Sequence, residues 1–300
     1  MSDMPTHELQ SSPSMLGLFG RAGLAMVPGA SRLPFVAGGG REIPQLTLEL
    51  NDVHVERDRL AAYDRVCGFS LSDTLPATYP HMLAFPLHLA LMTDGRFPFG
   101  AIGLVHIANE ITQHRPIGAN EALSIRVWAT QLEPHPRGRQ FTIRSAVSAG
   151  GELVWESGST NLKRGGGSDD ASRPAAPNLD VEVAELPATA TWKLPGDLGR
   201  RYGSVSGDLN PIHVHPLSAR LFGFPTAIAH GMWTKARCLA ALESRLPDAF
   251  TVRVAFKKPI LLPATVEFCE QGSVSDGDLR FGVRDARKGT PHLAGTVSQR

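Results

Sequence analysis

The sequence predicts an α+β protein in which one arrangement of elements occurs twice. The chain has 300 residues, enough for two domains of ordinary size. A segment rich in Gly, Ser, Asp and Pro, residues 164–180, interrupts it near the middle. On both sides of that segment, apolar stretches with helical character precede segments in which apolar and polar residues alternate. We therefore expect helices packed on antiparallel sheet in each half.

We divide the chain into four parts. Residues 1–44 carry many Gly, Pro and Ser residues and are predicted to be an irregular N-terminal arm. Residues 45–163 form the first domain, and residues 185–300 form the second. Residues 164–184, which include RGGGSDDASRPAAPNLD, are predicted to be a flexible linker because large apolar side chains are almost absent from that run.

The two halves share landmarks at equal spacing, which indicates an internal repeat. These landmarks are Tyr63, Val66 and Gly68 in the first half and Tyr202, Val205 and Gly207 in the second. Farther along, a strand-like segment leads to a basic residue and Pro-Ile in both halves, at 105–117 and at 252–260. Phe69 stands where Asp208 stands in the second half, and nothing there matches His213. The first copy therefore lacks the polar residues of the second.

Alternation of apolar and polar residues predicts several strands of an antiparallel sheet. The segments are LSIRVWA from Leu123, FTIRSAV from Phe141, TVEFCEQ from Thr265 and LRFGVRDA from Leu279. A turn-like Ser-Asp-Gly at 275–277 separates the last two. The apolar stretch from Ala229 to Leu246 is predicted to be a helix.

Composition excludes several classes of protein. Thirty basic residues against twenty-nine acidic residues leave a net charge of +1, so no overall field attracts nucleic acid or an anionic membrane. Cys67, Cys238 and Cys269 are odd in number and widely separated, so we expect buried thiols rather than disulfides or a metal site. The apolar run 15–27 is broken by glycines and Arg21, unlike a signal peptide. No segment is long enough to span a bilayer, and a reducing cytoplasm is favoured.

The segment YGSVSGDLNPIHVH, from Tyr202 to His215, concentrates polar chemistry in one turn. It places a carboxylate, Asp208, an amide, Asn210, and two imidazoles, His213 and His215, around a Gly and Pro bend. The segment AHGM at 229–232 follows and opens the predicted helix, whose first N–H groups can bind developing negative charge. An acid–base pair beside an oxyanion site suits the addition or removal of water next to an activated carbonyl.

The pattern YxxxSGDxNPIH followed by AHGM resembles the hydratase 2 motif of the MaoC-like, (R)-specific enoyl-thioester hydratases and dehydratases. Every polar position of that motif is filled, and the resemblance covers about the last hundred residues strongly and the first half in outline. It implies a double hotdog fold, each half a long central helix wrapped by an antiparallel sheet. It also implies acyl substrates carried as thioesters of coenzyme A or acyl carrier protein, with no redox cofactor and no metal.

The resemblance implies roles for four residues. Asp208 and His213 hold the water or the substrate hydroxyl between them, and which of them moves each proton stays open. Asn210 fixes the loop or orients the water. The backbone N–H of Gly231 is the oxyanion donor, since a glycine at a helix start lets the thioester approach closely. In two-domain members of the family, the half without the motif can widen to hold a bulky acyl chain.

Each site residue also has a purely structural interpretation. Asp208 could form an Asx-turn or cap a helix, and Asn210 could be a turn residue before Pro211. Gly231 could serve close packing of the helix on the sheet. His215 and His230 could be packing or hydrogen-bonding residues, and we leave both outside the catalytic set.

Three further interpretations stay open. Asp208, His213 and His215 are ligand types that could bind zinc or iron, although the motif does not require metal. Basic residues beside the Pro-Ile segments could contact the phosphates of coenzyme A or of a carrier's phosphopantetheine, or could be ordinary surface charge; they are Arg115, Lys257 and Lys258. An apolar run could line an acyl tunnel or belong to the core, and comprises Met82, Leu83, Phe85, Leu87, Leu89, Leu91, Met92, Phe97 and Phe99.

The leading functional hypothesis is a lyase that interconverts (3R)-3-hydroxyacyl and trans-2-enoyl thioesters in fatty-acid metabolism. One alternative is a hotdog thioesterase, which would use a carboxylate at the carbonyl itself, although SGDLNPIH argues against it. Another is a non-catalytic subunit that binds acyl thioesters, which the intact Asp208, Asn210 and His213 argue against. A homodimer is compatible with the sequence, which fixes neither acyl length nor the choice of carrier.

Overall fold

The computed structural model describes residues 4–27, 29–33, 35–165 and 179–300, which form helices packed on one extended sheet. The elements of the first half are β1 (Thr6–Leu9), α1 (Met15–Leu24), β2 (Thr47–Val53), α2 (Arg57–Cys67), α3 (Tyr79–Met92), β3 (Val105–Gln113), β4 (Leu123–Ala129), β5 (Glu133–His135), β6 (Gly138–Ala149) and β7 (Glu152–Arg164). Those of the second half are β8 (Ala188–Leu194), α4 (Leu198–Ser206), α5 (Pro211–Val214), α6 (Pro216–Leu221), α7 (Gly231–Leu242), β9 (Phe250–Phe256), β10 (Ala264–Gln271), β11 (Asp278–Asp285) and β12 (Pro291–Gln299). The predicted strands lie within these bounds apart from Ala286, one residue beyond β11, so the strand predictions are confirmed.

The sheet joins both halves through one pair of strands. Its order is β1-β2-β4-β6-β7-β3-β9-β12-β11-β10-β8, with β5 paired to β6. At the centre, β3 of the first half and β9 of the second pair antiparallel, from Ala108 opposite Ala255 to Gln113 opposite Phe250. Every pairing except the short parallel contact of β1 with β2 is antiparallel. This arrangement is a double hotdog of the α+β class, as the sequence predicts.

The repeated landmarks occupy equivalent places in the fold. Helices α2 and α4 both end at a glycine in the left-handed conformation, Gly68 with φ of 84° and Gly207 with φ of 82°. Such a residue lets the chain turn away from a helix end without a side-chain clash. Tyr63 and Tyr202 face each other with ring centroids 6.1 Å apart, so the two helices pack together at the centre of the molecule.

The central helices of the two halves lie against the sheet. In the first half, α3 is 14 residues long and contacts β4 and β6; in the second, α7 is 12 residues long and contacts β12. A single apolar core extends through both halves, with fully buried aromatic side chains that include Phe141, Phe250 and Phe281. The three cysteines are buried free thiols, which confirms that prediction. Among the described residues, no helix is both long and apolar enough to cross a membrane.

The structure differs from the sequence prediction in two places. The N-terminal arm is not irregular throughout, because β1 pairs with β2 and residues 15–24 form α1, in which Leu18 and Ala22 bury against the core. The helix predicted for 229–246 begins at Gly231 and ends as α-helix at Leu242, followed by a 3-10 turn over 243–245. Most of the predicted linker 164–184 lies outside the described residues. Near its end, Val181 and Val183 are buried against Cys269 and Ala294 of the sheet.

Candidate active site

The loop after α4 is held in a tight turn that presents Asp208. The Gly207 N–H donates to the Gly203 carbonyl at 2.9 Å, and the Asp208 N–H donates to the Ser206 hydroxyl at 3.2 Å. Gly199, on the same helix, lies so close to the next segment that an added Cβ would sit 1.9 Å from the His213 carbonyl oxygen. Close packing of the α4 backbone against α5 therefore fixes where Asp208 and His213 stand.

Asp208 and Asn210 both bond to the backbone two residues ahead. One carboxylate oxygen of Asp208, Oδ1, accepts from the Asn210 N–H at 3.2 Å, which is an Asx-turn. The Asn210 side-chain oxygen accepts from the Ile212 N–H at 3.3 Å and caps α5. The structure thus shows both purely structural roles, the Asx-turn of Asp208 and the turn position of Asn210 before Pro211. The second carboxylate oxygen of Asp208, Oδ2, lies 3.8 Å from His230 Nε2 and stays available for another partner.

A backbone contact orients the imidazole of His213. Its Nδ1 lies 2.8 Å from the carbonyl oxygen of Ile228. Because a carbonyl oxygen only accepts, Nδ1 of the neutral ring must carry the proton, and Nε2 then keeps its lone pair. His213 therefore offers a proton acceptor on the side opposite to Ile228.

His230 joins Asp208 and His213 in one cluster. Its Nε2 donates to the Asp208 carbonyl oxygen at 3.0 Å, and its ring stacks on that of His213 with centroids 3.7 Å apart. Tyr202 packs on its other side at 4.8 Å. One polar atom each from Asp208, His213 and His230 lie within 4.8 Å of one another, a separation that a single water molecule can bridge.

Burial shifts both titrating groups away from their charged forms. Desolvation raises the pKa of the Asp208 carboxyl, although the neighbouring His213 and the Asn210 N–H act in the opposite direction. Desolvation lowers the pKa of His213, partly offset by the Asp208 charge. The two pKa values therefore shift toward each other. As a result, transfer of a proton between the two groups costs less free energy than it does in water.

Gly231 is the first residue of α7, where the opening N–H groups of a helix lack intrahelical partners. A Cβ built on Gly231 would lie 2.9 Å from the ring of Phe256 on β9, so only glycine lets that ring pack so closely. The close-packing interpretation of Gly231 is realised. The Gly231 N–H, which lacks an intrahelical partner, is compatible with oxyanion binding as well.

Two buried polar residues that the sequence analysis did not single out hold α7 on the sheet. The Lys235 ammonium is fully buried and bonds to the Asn109 side-chain oxygen at 2.5 Å and to the Val252 carbonyl at 3.3 Å. Burial holds the pKa of Lys235 well below its usual range. Because β3 carries Asn109 and β9 carries Val252, Lys235 anchors the helix at the junction of the two halves. A lysine within an apolar helical stretch is the sequence signal for such an anchor.

The three residues considered as metal ligands in the sequence analysis, Asp208, His213 and His215, do not lie together in the structure. His215 lies apart from the cluster, where its Nδ1 accepts from the Leu217 N–H and caps α6. His230 takes its place beside Asp208 and His213. Two of the ring nitrogens are already engaged, because His213 Nδ1 and His230 Nε2 each donate to a backbone carbonyl oxygen. The geometry favours acid–base chemistry over a metal centre.

A cavity of about 360 Å³ leads from this cluster into the first half. Of the proposed tunnel residues, those that line it are Met82, Phe85, Leu89 and Met92, whereas Leu87, Leu91 and Phe97 belong to the buried core. Lys257 and Lys258 line the cavity and are exposed. Arg115 is not among the lining residues, and its guanidinium pairs with Glu121 and Glu152.

The second half matches a family model described as the MaoC-like domain, over residues 181–289. Over 257 residues, the chain is 39% identical to 3-hydroxyacyl-thioester dehydratase X of Mycobacterium tuberculosis, covering 85% of this chain and 90% of that protein. It is 27% identical over 169 residues to the peroxisomal enoyl-CoA hydratase 2 of Arabidopsis thaliana, which covers 51% of this chain and 55% of the plant protein.

Solved structures agree with the observed fold. The crystal structure of HtdX of Mycobacterium tuberculosis superposes with a TM-score of 0.74 at 37% identity, covering 85% of this chain and 100% of that one. A second protein of that organism, described as having a double hotdog fold, superposes with a TM-score of 0.53 at 14% identity, covering 82% of this chain and 93% of that one.

Proposed function

The chain belongs to the MaoC-like domain family, and we propose that it is a hydro-lyase that interconverts (3R)-3-hydroxyacyl and trans-2-enoyl thioesters. Two relatives are named as a 3-hydroxyacyl-thioester dehydratase and an enoyl-CoA hydratase. The observation that carries the proposal is the cluster itself: a ring nitrogen of His213 and a carboxylate oxygen of Asp208 lie within 4.8 Å of each other, a gap that fits one water. His213 Nε2 keeps its lone pair because Nδ1 is bonded to the Ile228 carbonyl.

Hydration in this site adds the elements of one water across a double bond. The Asp208 and His213 pair takes a proton from the water as its oxygen bonds to C3 of the enoyl thioester. The pair then returns a proton to C2, and the reverse sequence removes the hydroxyl as water. Because the two pKa values converge, the pair can serve as base in one step and as acid in the next.

Negative charge builds on the thioester oxygen during both steps. The N–H of Gly231, at the start of α7, is preorganised to bind that oxygen without reorienting. Phe256 packs against Gly231 and excludes water from this side, which strengthens the hydrogen bond. Asn210 acts on the reaction by holding the loop between Asp208 and His213 in place.

Exposed cations at the cavity suit the phosphates of a thioester carrier. Lys257 and Lys258 line the cavity and have no ion-pair partner among the described residues. Coenzyme A and the phosphopantetheine of a carrier protein both carry phosphate groups that such cations bind. We assign Arg115 no part in it, because two carboxylates already neutralise that side chain.

The test is a direct assay with purified protein. Crotonyl-coenzyme A and a longer trans-2-enoyl-coenzyme A are mixed with the protein, and the enoyl-thioester absorbance, free thiol and product configuration are followed. We expect the absorbance to fall and the (3R) product to form, with neither change in His213→Ala. Release of free thiol without hydration would identify a thioesterase instead. Silence in both assays, also with carrier-protein substrates, would contradict an enzymatic function and leave a binding subunit.

A further inference from the structure

A second polar cluster lines the same cavity in the first half of the chain. It consists of three imidazoles, those of His81 and His88 on α3 and that of His106 on β3. His81 and His88 are seven residues apart and so lie on one face of the helix, where they are 7% and 3% exposed. Three histidines beside the apolar side chains of Met82, Phe85 and Leu89 are unexpected for a part of the cavity that binds only hydrocarbon.

The histidine cluster extends away from the proposed oxyanion donor. The ring of His106 lies 4.8 Å from that of Phe256, the same ring that packs against Gly231. From there the centroids of His106 and His81 are 6.4 Å apart, and those of His81 and His88 are 5.1 Å apart. The cluster thus begins one phenyl ring from the reaction centre and continues into the interior along α3.

Two nitrogens of the cluster lack partners. His81 Nδ1 and His106 Nε2 are buried and form no hydrogen bond with any described residue. His88 does have one, since its Nε2 lies 2.6 Å from the Ser145 hydroxyl. Buried polar atoms in folded proteins are almost always paired, so the unpaired nitrogens of two cavity-lining histidines point to a polar group of the cavity's occupant, which becomes their partner when the rings turn toward it.

The cluster suits an uncharged partner. Burial lowers the pKa of His88 to about 3 and that of His106 to about 4, and the proximity of Lys235 adds to the shift in His106. The Lys235 ammonium is itself engaged by carbonyl and amide oxygens. Neutral imidazoles donate or accept one hydrogen bond at each nitrogen, which matches a hydroxyl or a ketone.

We propose that His81, His88 and His106 recognise a neutral oxygen group, a hydroxyl or a ketone, on the acyl chain beyond the reacting carbons. This inference rests on the proposed function, because it assumes that the cavity holds an acyl thioester. Phe85, Leu89 and Met92 line the cavity beside the cluster and pack against the methylene groups on either side of the oxygen. The substrate class is therefore an oxygenated acyl thioester rather than a plain fatty acyl chain.

The test compares matched pairs of trans-2-enoyl-coenzyme A substrates of equal length. One member is unsubstituted, and the other carries a hydroxyl, which is moved along the chain from pair to pair. We expect the wild type to prefer the hydroxylated member by about tenfold in kcat/KM at the position that reaches the cluster. His81→Phe removes that preference. The control His135→Phe, which deletes a buried imidazole outside the cavity, keeps it.

Equal kcat/KM within every pair, or a preference that survives in His81→Phe, would overturn the inference. The former result would also arise if the cluster bound the pantetheine arm, which all substrates share. If His81→Phe does not fold, Kd values of the wild type for saturated acyl-coenzyme A with and without the hydroxyl decide in its place, and equal values overturn the inference. Crotonyl-coenzyme A reports separately on the proposed function, since it lacks the distal carbons.

Discussion

Replacement of His88 by Phe should make the stability of this fold less sensitive to acid. His88 is 3% exposed on α3, and burial lowers its pKa from 6.5 to about 3. In the unfolded chain the same imidazole binds a proton near pH 6.5. The folded state is therefore favoured by its neutral ring at high pH, and this contribution is lost as pH falls below 6.5 because only the unfolded chain takes up the proton.

The magnitude follows from the two pKa values. Each pH unit between them changes the free energy of unfolding by about 1.4 kcal/mol for one proton. Of the interval from pH 8 to pH 5, the one and a half pH units from 6.5 to 5 lie between the unfolded pKa and the folded pKa of His88. The wild type should therefore lose about 2 kcal/mol more stability over this interval than His88→Phe does.

Urea unfolding at pH 8 and pH 5 measures this difference, with both proteins compared at equal m-values. Loss of the bond to Ser145 destabilises His88→Phe at both pH values alike, so it cancels in the comparison. Matching losses in the two proteins would show that His88 titrates in the folded state as it does in water. That result would refute the neutral, closed environment assigned to the histidine cluster.

Three substitutions test the construction of the active site. Gly199→Ala should destabilise the fold by about 1–3 kcal/mol and lower turnover, because its Cβ would overlap the His213 carbonyl oxygen; urea unfolding and the hydration assay measure both effects. His213→Ala should abolish hydration, whereas His215→Ala should keep it and lose about 1 kcal/mol of stability with the α6 cap. Gly231→Ala should lower kcat/KM about tenfold as Phe256 and the helix start shift apart, and Phe256→Leu in the same chain should recover part of it.

Three outcomes would contradict these assignments. Gly196→Ala is the control for Gly199→Ala, because the nearest atom to its added Cβ is 3.8 Å away, and equal stability of the two variants would remove the argument from close packing. Full activity in His213→Ala would exclude the ring from the reaction. Unchanged kcat/KM in Gly231→Ala would show that the close contact between Gly231 and Phe256 does not position the helix start for the reaction.

Local pattern was sufficient to predict much of the fold. Period-two alternation placed β4 and β10 to within a residue, because one face of each strand must be buried. The equal spacing that ends at Gly68 and Gly207 predicted the repeat, since both glycines end helices that meet at the centre. The α1 helix was missed because glycines within 15–24 hide a short buried face.

The candidate site was predictable only where its residues are close in sequence. Asp208, Asn210 and His213 lie on one loop, and the structure keeps them together there. The proximity of His230 depends on how α7 docks on α4, which no local pattern encodes. The histidine cluster of the first half could not be predicted either, because His106 on β3 meets His81 on α3 only in the folded structure.

The most direct test of the central assignment is Asp208→Asn, which changes one oxygen of the side chain to an amide nitrogen and keeps its shape. We predict that crotonyl-coenzyme A hydration falls by at least about 10³-fold, because the amide is no proton acceptor at this position, while Kd for a saturated acyl-coenzyme A stays within about threefold of the wild-type value. Hydration at a wild-type rate by this variant would contradict the assignment of Asp208 and His213 as the acid–base pair.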